Sequence, residues 1–251
     1  MNVVIIGTGN VATVLGKLIS IKGHKIIEIV GRNTLATQTL ARICHASPNT
    51  NFATINDSAD IYIVAVVDTA IETVTKQLTL QNKIVVHTAG SVSIQTLQHL
   101  SGSHGVLWPL QTLRKEMKTI PEIPIVIDAN SETSYATLLA FTKSISDTVF
   151  RANDAKRIKL HLAAVFVSNF TNHLYTLTED YCHKEALDFK LLYPLIQETG
   201  YRILSNSPRS VQTGPAIRRD YSTINNHLQL LKENHTLHKI YQLLSDSIKE
   251  S

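Results

Sequence analysis

The stretch VVIIGTGNVATVLG, residues 3–16, decides the fold. Four uncharged apolar residues, Val3 to Ile6, read as a strand buried on both faces, and after Asn10 apolar residues recur at helical spacing. Between the two, Gly7, Gly9 and Ala12 form a GxGxxA pattern. That pattern has a physical use at a strand-to-helix turn. The first glycine permits the tight turn, the second lets the backbone approach a diphosphate, and the small third residue lets helix and strand pack closely. Amides at the helix N-terminus then face the anion. Thr8, Asn10 and Val11 complete the turn and are expected at the same ligand.

Working outward, KIIEIVG, DIYIVAVV, KIVVHTAG and HGVLWP are further short apolar runs bounded by turn residues, with helical patterns such as TLATQTLARICHA between them. Strands alternating with helices predict right-handed crossovers and an α/β domain, its mostly parallel sheet covered by helices on both faces. After PIVIDANSETSYATLLAFTKSIS and DTVFRAN this rhythm stops, and from about Asp154 the pattern is helical only. A boundary near residue 152 is expected, dividing a nucleotide-binding domain, 1–152, from an all-α domain, 153–251.

Composition narrows the partners. The 251 residues are 43% hydrophobic and 18% charged, as in ordinary globular proteins, and 24 basic side chains against 20 acidic ones are spread along the chain. No Lys/Arg block marks a nucleic-acid or anionic-membrane partner, so a small molecule is expected. No segment reaches the roughly 18 apolar residues of a membrane span, and no basic leader precedes Val3. Cys44 and Cys182 lack CxxC spacing, which argues against a disulfide framework or zinc site and fits a reducing cytoplasm. His235 and His238 share a helix face without further ligands, so no metal is expected. No Ser/His/Asp order or GxSxG elbow is present.

The end of the second strand reads Gly31-Arg32-Asn33-Thr34, where an NAD site would carry an acid for the ribose hydroxyls. Glu28, three residues earlier, should point elsewhere. Arg32 can instead pair with a 2′-phosphate, flanked by Asn33 and Thr34 as donors, which favours NADP. In such sheets the ligand lies outside the carboxyl ends of the strands. Those ends carry Val66-Val67-Asp68, then His87-Thr88-Ala89-Gly90-Ser91, then Trp108-Pro109-Leu110-Gln111. The small residues of HTAGS leave room for a ribose or nicotinamide ring. His87 is either a neighbour of that ring or a hydrogen-bonded strand terminus. Asp68 reads as the N-cap of DTAIETVTKQL rather than a catalytic acid. Trp108 reads as core packing, with a wall of the substrate cleft as the alternative.

In the helical part, His161, Val165, Asn169 and His173 recur every four residues along one long helix, drifting slowly round its face. These polar groups either form a structural network or dimer seam, or face a wet cleft. In a cleft beside a nicotinamide, His161 is the candidate proton donor or acceptor and Asn169 the group that orients the substrate. Farther on, QTGPAIRRDY places Arg218, Arg219 and Asp220 after a Gly-Pro turn. Arg218 is a candidate clamp for an anionic substrate, whereas an Arg-Asp pair would merely fix the loop.

Taken together, GTGNVA, GRNT, HTAGSVS, GVLWPLQTL and TGPAIRRD resemble a bacterial family of NADP oxidoreductases over nearly the whole chain, WPLQT and TGPAIRRD most specifically. That family has a Rossmann-like N-terminal domain and a helical C-terminal domain of unassigned function, similar to the C-terminal domain of 6-phosphogluconate dehydrogenase. It is more distantly similar to pyrroline-5-carboxylate reductase, ketopantoate reductase and deazaflavin-dependent NADP oxidoreductase. The resemblance implies NADP on Gly7 to Val11 and Arg32, and a substrate cleft between HTAGS, WPLQ and the helix bearing His161 and Asn169. Ser91, Trp108, Pro109, Gln111, His173 and Arg218 are expected on its substrate side, with the helical domain shared across a homodimer. The lysine that hydroxyacid dehydrogenases of this superfamily carry four residues before the asparagine is absent, Val165 standing before Asn169. The expected function is hydride transfer between NADP(H) and a small carbonyl or imine compound. The alternative is a non-catalytic NADP-binding sensor or interaction protein, and a deazaflavin partner is a third possibility.

Overall fold

The computed structural model describes residues 1–250. It contains one eight-stranded sheet: β1 (Asn2–Ile6), β2 (Lys25–Val30), β3 (Ser47–Asn49), β4 (Ile61–Val64), β5 (Ile84–His87), β6 (Ser103–Pro109), β7 (Ile125–Ala129) and β8 (Val149–Arg151). The strand order is β3-β2-β1-β4-β5-β6-β7-β8. All neighbours pair in parallel except β6 and β7, which run antiparallel from Gly105↔Ala129 to Pro109↔Ile125. The order reverses between β1 and β4, and there the carboxyl ends diverge to leave a crevice.

Helices α1 (Asn10–Ile21), α2 (Thr34–Cys44) and α4 (Glu132–Ile145) cover the sheet with apolar faces. Alternation along β1 sends Val3 and Ile5 into the core beneath α1 and α4, and Val4 and Ile6 into a second core with Tyr62, Val64 and Val74. The continuous apolar run of the opening stretch is thus explained: both faces of this strand are buried. The connection after β4 differs from the expected helix. It is a short 3-10 turn, Asp68–Ala70, followed by α3 (Ile71–Thr75).

The helical run at the start of the C-terminal part is α5 (Asp154–Ala164), a π-helical turn (Val165–Phe170) and α6 (Thr171–Lys184). Sequence spacing predicts one α-helix here, but the wider turn at Val165–Phe170 breaks its regular advance. Then follow α7 (Tyr193–Ser205), α8 (Tyr221–Leu230) and α9 (His235–Glu250). The chain divides into two compact units, Met1–Ser168 and Asn169–Ser251. The first therefore takes in α5, which a boundary at residue 152 would give to the helical domain. Asn153 starts α5 by accepting a hydrogen bond from the Lys156 amide at 3.0 Å. No helix among the described residues is long and apolar enough to cross a membrane. No group of three or more His, Cys, Asp or Glu among them could hold a metal ion.

Candidate functional site

At the turn between β1 and α1, Gly7 adopts φ 126°, and a Cβ built there would stand 2.1 Å from the Ala65 carbonyl oxygen. No other residue fits. Its amide donates to the Val30 carbonyl at 2.8 Å, tying the turn to β2. Gly9 differs: its φ of −79° suits any residue, and nothing lies within 4 Å of a Cβ placed on it. Its side is open to a ligand. It caps α1 without a side-chain hydrogen bond and no acid occupies the first turn, so the first amides of α1 are available to an anion. Gly31 has a third role, since a Cβ there would meet Thr37 Oγ1 at 2.6 Å and Thr8 Cγ2 at 2.8 Å. Its absence lets the end of β2 close on the turn.

These residues border a cleft of about 720 Å³ that also includes Asn10, Val11, Arg32, Asn33, Val66, Val67 and Asp68. Arg32 is exposed, and no hydrogen bond or ion pair among the described residues engages it. Asn33 Oδ1 caps α2 by accepting from the Ala36 amide at 2.9 Å, which leaves its NH2 group to donate. Thr34, exposed, begins α2. Glu28 is buried. It accepts from Asn49 Nδ2 at 3.1 Å and from the Asn56 amide at 2.9 Å, so it fastens β3 and the following loop to β2 and is no ribose partner. The charge presented at this end of the cleft is positive, which suits a 2′-phosphate. Sequence reasoning missed the apolar walls Phe52, Ala70 and Val74. Their only signal is small or apolar character just beyond β3 and β4.

His87 is fully buried at the end of β5. Nδ1 accepts from the Ala89 amide at 3.2 Å, so Nε2 carries the proton and donates to the Ser93 carbonyl at 3.3 Å. Burial, and next the guanidinium of Arg157, push its pKa down to about 4 against the opposing pull of Ser93, Asp154 and Asp68. Both ring nitrogens thus have partners within the chain, as the hydrogen-bonded reading expects. With no exposed face, His87 shapes the turn after β5. Thr88, Ala89 and Gly90 in that turn are also buried. Asp68 does not act as an N-cap either. Val67 holds that position without a side-chain bond, and Asp68 Oδ2 accepts from Ser91 Oγ at 2.7 Å, linking the ends of β4 and β5.

Trp108 packs in a small core with Ile94, Val106, Val126 and Ala152. Its indole also faces the turn. The ring centroid of His161 lies 5.7 Å away, and a Cβ on Gly90 would meet His161 Cδ2 at 2.6 Å and Trp108 Cε2 at 2.7 Å. Gly90, Trp108 and the half-exposed His161 therefore form one cluster at the carboxyl ends of β5 and β6. Pro109 is buried in the sheet opposite Ile125. Gln111 is committed to its own loop, donating to the Glu122 carbonyl at 3.2 Å and accepting from the Thr112 amide at 2.9 Å. That engagement leaves it little capacity to bind a substrate.

In the second unit, Asn169 ends up exposed within the π turn and His173 exposed on α6. Arg218 is exposed in the turn before α8, where Gly214 has φ 109° and Arg219 φ 54°. Asp220 is occupied as the N-cap of α8, accepting from the Thr223 amide at 3.1 Å and its hydroxyl at 2.8 Å. A further pair escaped the sequence analysis: Arg157 and Asp154, at the start of α5.

Residues 2–90 match the family described as NADP oxidoreductase, coenzyme F420-dependent, and residues 123–248 match a domain of unknown function, DUF2520. A Bacteroides fragilis protein, provisionally named an NADP oxidoreductase, is 36% identical over all of this chain and 98% of its own, with a TM-score of 0.90. This chain belongs to that NADP oxidoreductase family. The enzyme also shares its fold with an imine reductase from Myxococcus stipitatus in complex with NADP+, at 16% identity, 100% and 93% coverage and a TM-score of 0.66. It shares it likewise with 1-pyrroline-5-carboxylate reductase from Streptococcus pyogenes, at 17% identity, 100% and 99% coverage and a TM-score of 0.65. No curated protein matches the sequence. The oxidoreductase takes NADP, and the free Arg32, the open Gly9 and the uncapped α1 are the features of its cleft that fit that cofactor.

Proposed function

We propose that this NADP oxidoreductase moves a hydride between the nicotinamide and a small carbonyl or imine compound, with His161 giving or taking the accompanying proton. One observation carries the reading: His161 lies against Gly90 and Trp108, at the carboxyl ends of β5 and β6. That is where an open α/β sheet presents its ligand. When bound, NADP supplies the redox chemistry. The chain holds the diphosphate on Gly7 to Val11 and the 2′-phosphate on Arg32, and places an imidazole where a proton is needed. For Asn169 the proposed role is to orient the substrate, for His173 to bind it and for Arg218 to bind an anionic group on it. The imine reductase and pyrroline-5-carboxylate reductase that share the fold support a C=N or C=O substrate.

The active form in this reading is a homodimer built through the helical unit. Among its described residues only Cys182, Ala216, Ile224 and Ser245 are buried, while Leu191, Leu195, Tyr201, Leu204, Leu230 and Leu243 are exposed. So much apolar surface in a unit with so small a core supports a second copy that covers it. Both cysteines are unpaired, which supports a reducing compartment, the cytoplasm.

The test is absorbance loss at the reduced nicotinamide band, with NADPH or NADH, purified protein and a panel of small imines and oxo acids. Turnover with one substrate that falls at least about 100-fold in His161→Gln supports the proton role. Undiminished turnover in that variant removes it. Tight NADPH binding without turnover across the panel favours a sensor.

A further inference from the structure

We propose that Arg157, paired with Asp154, is a positioning residue that locks the turn from Thr88 to Ile94 against the helix carrying His161, so that the nicotinamide end of NADP meets a preformed surface. The inference rests on the oxidoreductase reading above.

Arg157 is 1% exposed and is the bulkiest of the fully buried side chains. Nη2 donates to the Val92 carbonyl and to Asp154 Oδ1, the latter at 2.7 Å, while Nε and Nη1 are buried without a hydrogen-bond partner. Asp154 also accepts from the Ile94 amide at 3.4 Å. The first turn of α5 thus grips Val92 and Ile94, the residues on either side of Ser93. From the sheet side the same segment is held by His87, which donates to the Ser93 carbonyl and accepts from the Ala89 amide. Four residues after Arg157, on the same face of α5, the ring of His161 rests on Gly90. One helix face therefore fixes both ends of the turn.

A stability argument does not explain this arrangement. Well-packed apolar residues in place of a buried ion pair are often neutral or stabilising, because two charges need not then be desolvated. An apolar side chain would fill the same space but would leave the Val92 carbonyl unheld. The guanidinium also disfavours protonation of His87, and a protonated ring would lose the Nδ1 lone pair that accepts from Ala89. Both effects act on the shape of the turn.

The experiment compares two ligands by calorimetric titration: NADPH, and 2′,5′-ADP, which carries the 2′-phosphate and adenosine half but no nicotinamide. For Arg157→Met, 2′,5′-ADP affinity should stay within about twofold of wild type while NADPH affinity falls about tenfold. Asp154→Asn, which removes the countercharge but keeps an acceptor oxygen, should move NADPH binding in the same direction by a smaller factor. It decides the matter alone if Arg157→Met fails to fold and binds neither ligand. Full retention of NADPH affinity in the folded variants overturns the proposal. So does an equal loss for both ligands, the mark of a merely structural role, or a wild type that binds NADPH no tighter than 2′,5′-ADP. A wild type that binds neither ligand overturns the oxidoreductase reading itself, a distinct outcome.

Discussion

Gly90→Ala tests the cluster on which the catalytic reading depends. The added methyl would lie 2.6 Å from His161 Cδ2, and 2.7 and 2.8 Å from Trp108 Cε2 and Cζ2. Ordinary contact begins at 3.4 Å, so the nearest gap must open by about 0.8 Å. Trp108 is enclosed by Ile94, Val106, Val126 and Ala152 and has nowhere to retreat. His161, half-exposed at the end of α5, moves instead. Overpacking of this kind costs about 1–3 kcal/mol, and the lower end is expected because one of the two rings can swing outward. The effect on chemistry is larger: a misplacement of about 1 Å at a reacting group costs on the order of 100-fold in turnover. Thermal unfolding and kcat with NADPH measure the two effects separately. In a His161→Ala background, the stability cost of Gly90→Ala should fall, since one of the two opposing rings is gone. An unchanged Tm and kcat in Gly90→Ala, or the same cost in both backgrounds, would refute the cluster.

Three further outcomes are expected. His87 has a folded pKa of about 4 against an unfolded value near 6.5, so the unfolded chain binds the proton more readily between these pH values. Stability is therefore lost as pH falls through that window, by up to about 3 kcal/mol, and urea unfolding of wild type and His87→Asn from pH 7.5 to 4.5 isolates the term. Identical pH slopes for the two proteins would count against it. Gly7→Ala should prevent folding, since its methyl would meet the Ala65 carbonyl at 2.1 Å in a strained φ, whereas Gly9→Ala should melt like wild type and bind NADPH more weakly. Equal destabilisation by both changes would contradict the open approach at Gly9. Arg32→Ala should weaken NADPH by about 10–100-fold, as expected for a lost charge-assisted bond, and NADH by far less. Matched losses in parallel titrations would remove the 2′-phosphate assignment.

The readings that held were those in which a local sequence fixes a local geometry. A glycine needed for a positive φ, another needed for open space and a missing acid at the end of β2 are all visible within a few residues, and the structure has the positive φ at Gly7 and the open side at Gly9. Strand alternation likewise turned Glu28 away from the ribose, and its bonds to Asn49 and Asn56 show where it points. Readings failed or stayed open where a distant partner competed with a local one. Asp68 has the look of a helix cap, but Ser91, brought alongside by the pairing of β4 with β5, takes its carboxylate. His87 could be resolved only once the turn after β5 was folded back over it.

Arg157 shows the limit most clearly. In DAKRIK it looks like one of several cations on a solvated helix, and an acid three residues before it is an ordinary surface pair. Nothing local distinguishes it from Lys156 or Lys159, both exposed. What buries it is the approach of Val92 and Ile94, some sixty residues earlier, to the first turn of α5. Its burial and the seating of His161 on Gly90 are thus consequences of one docking event. A residue buried by this route leaves no motif, because its surroundings are set by which loop the helix meets and not by its neighbours in the chain.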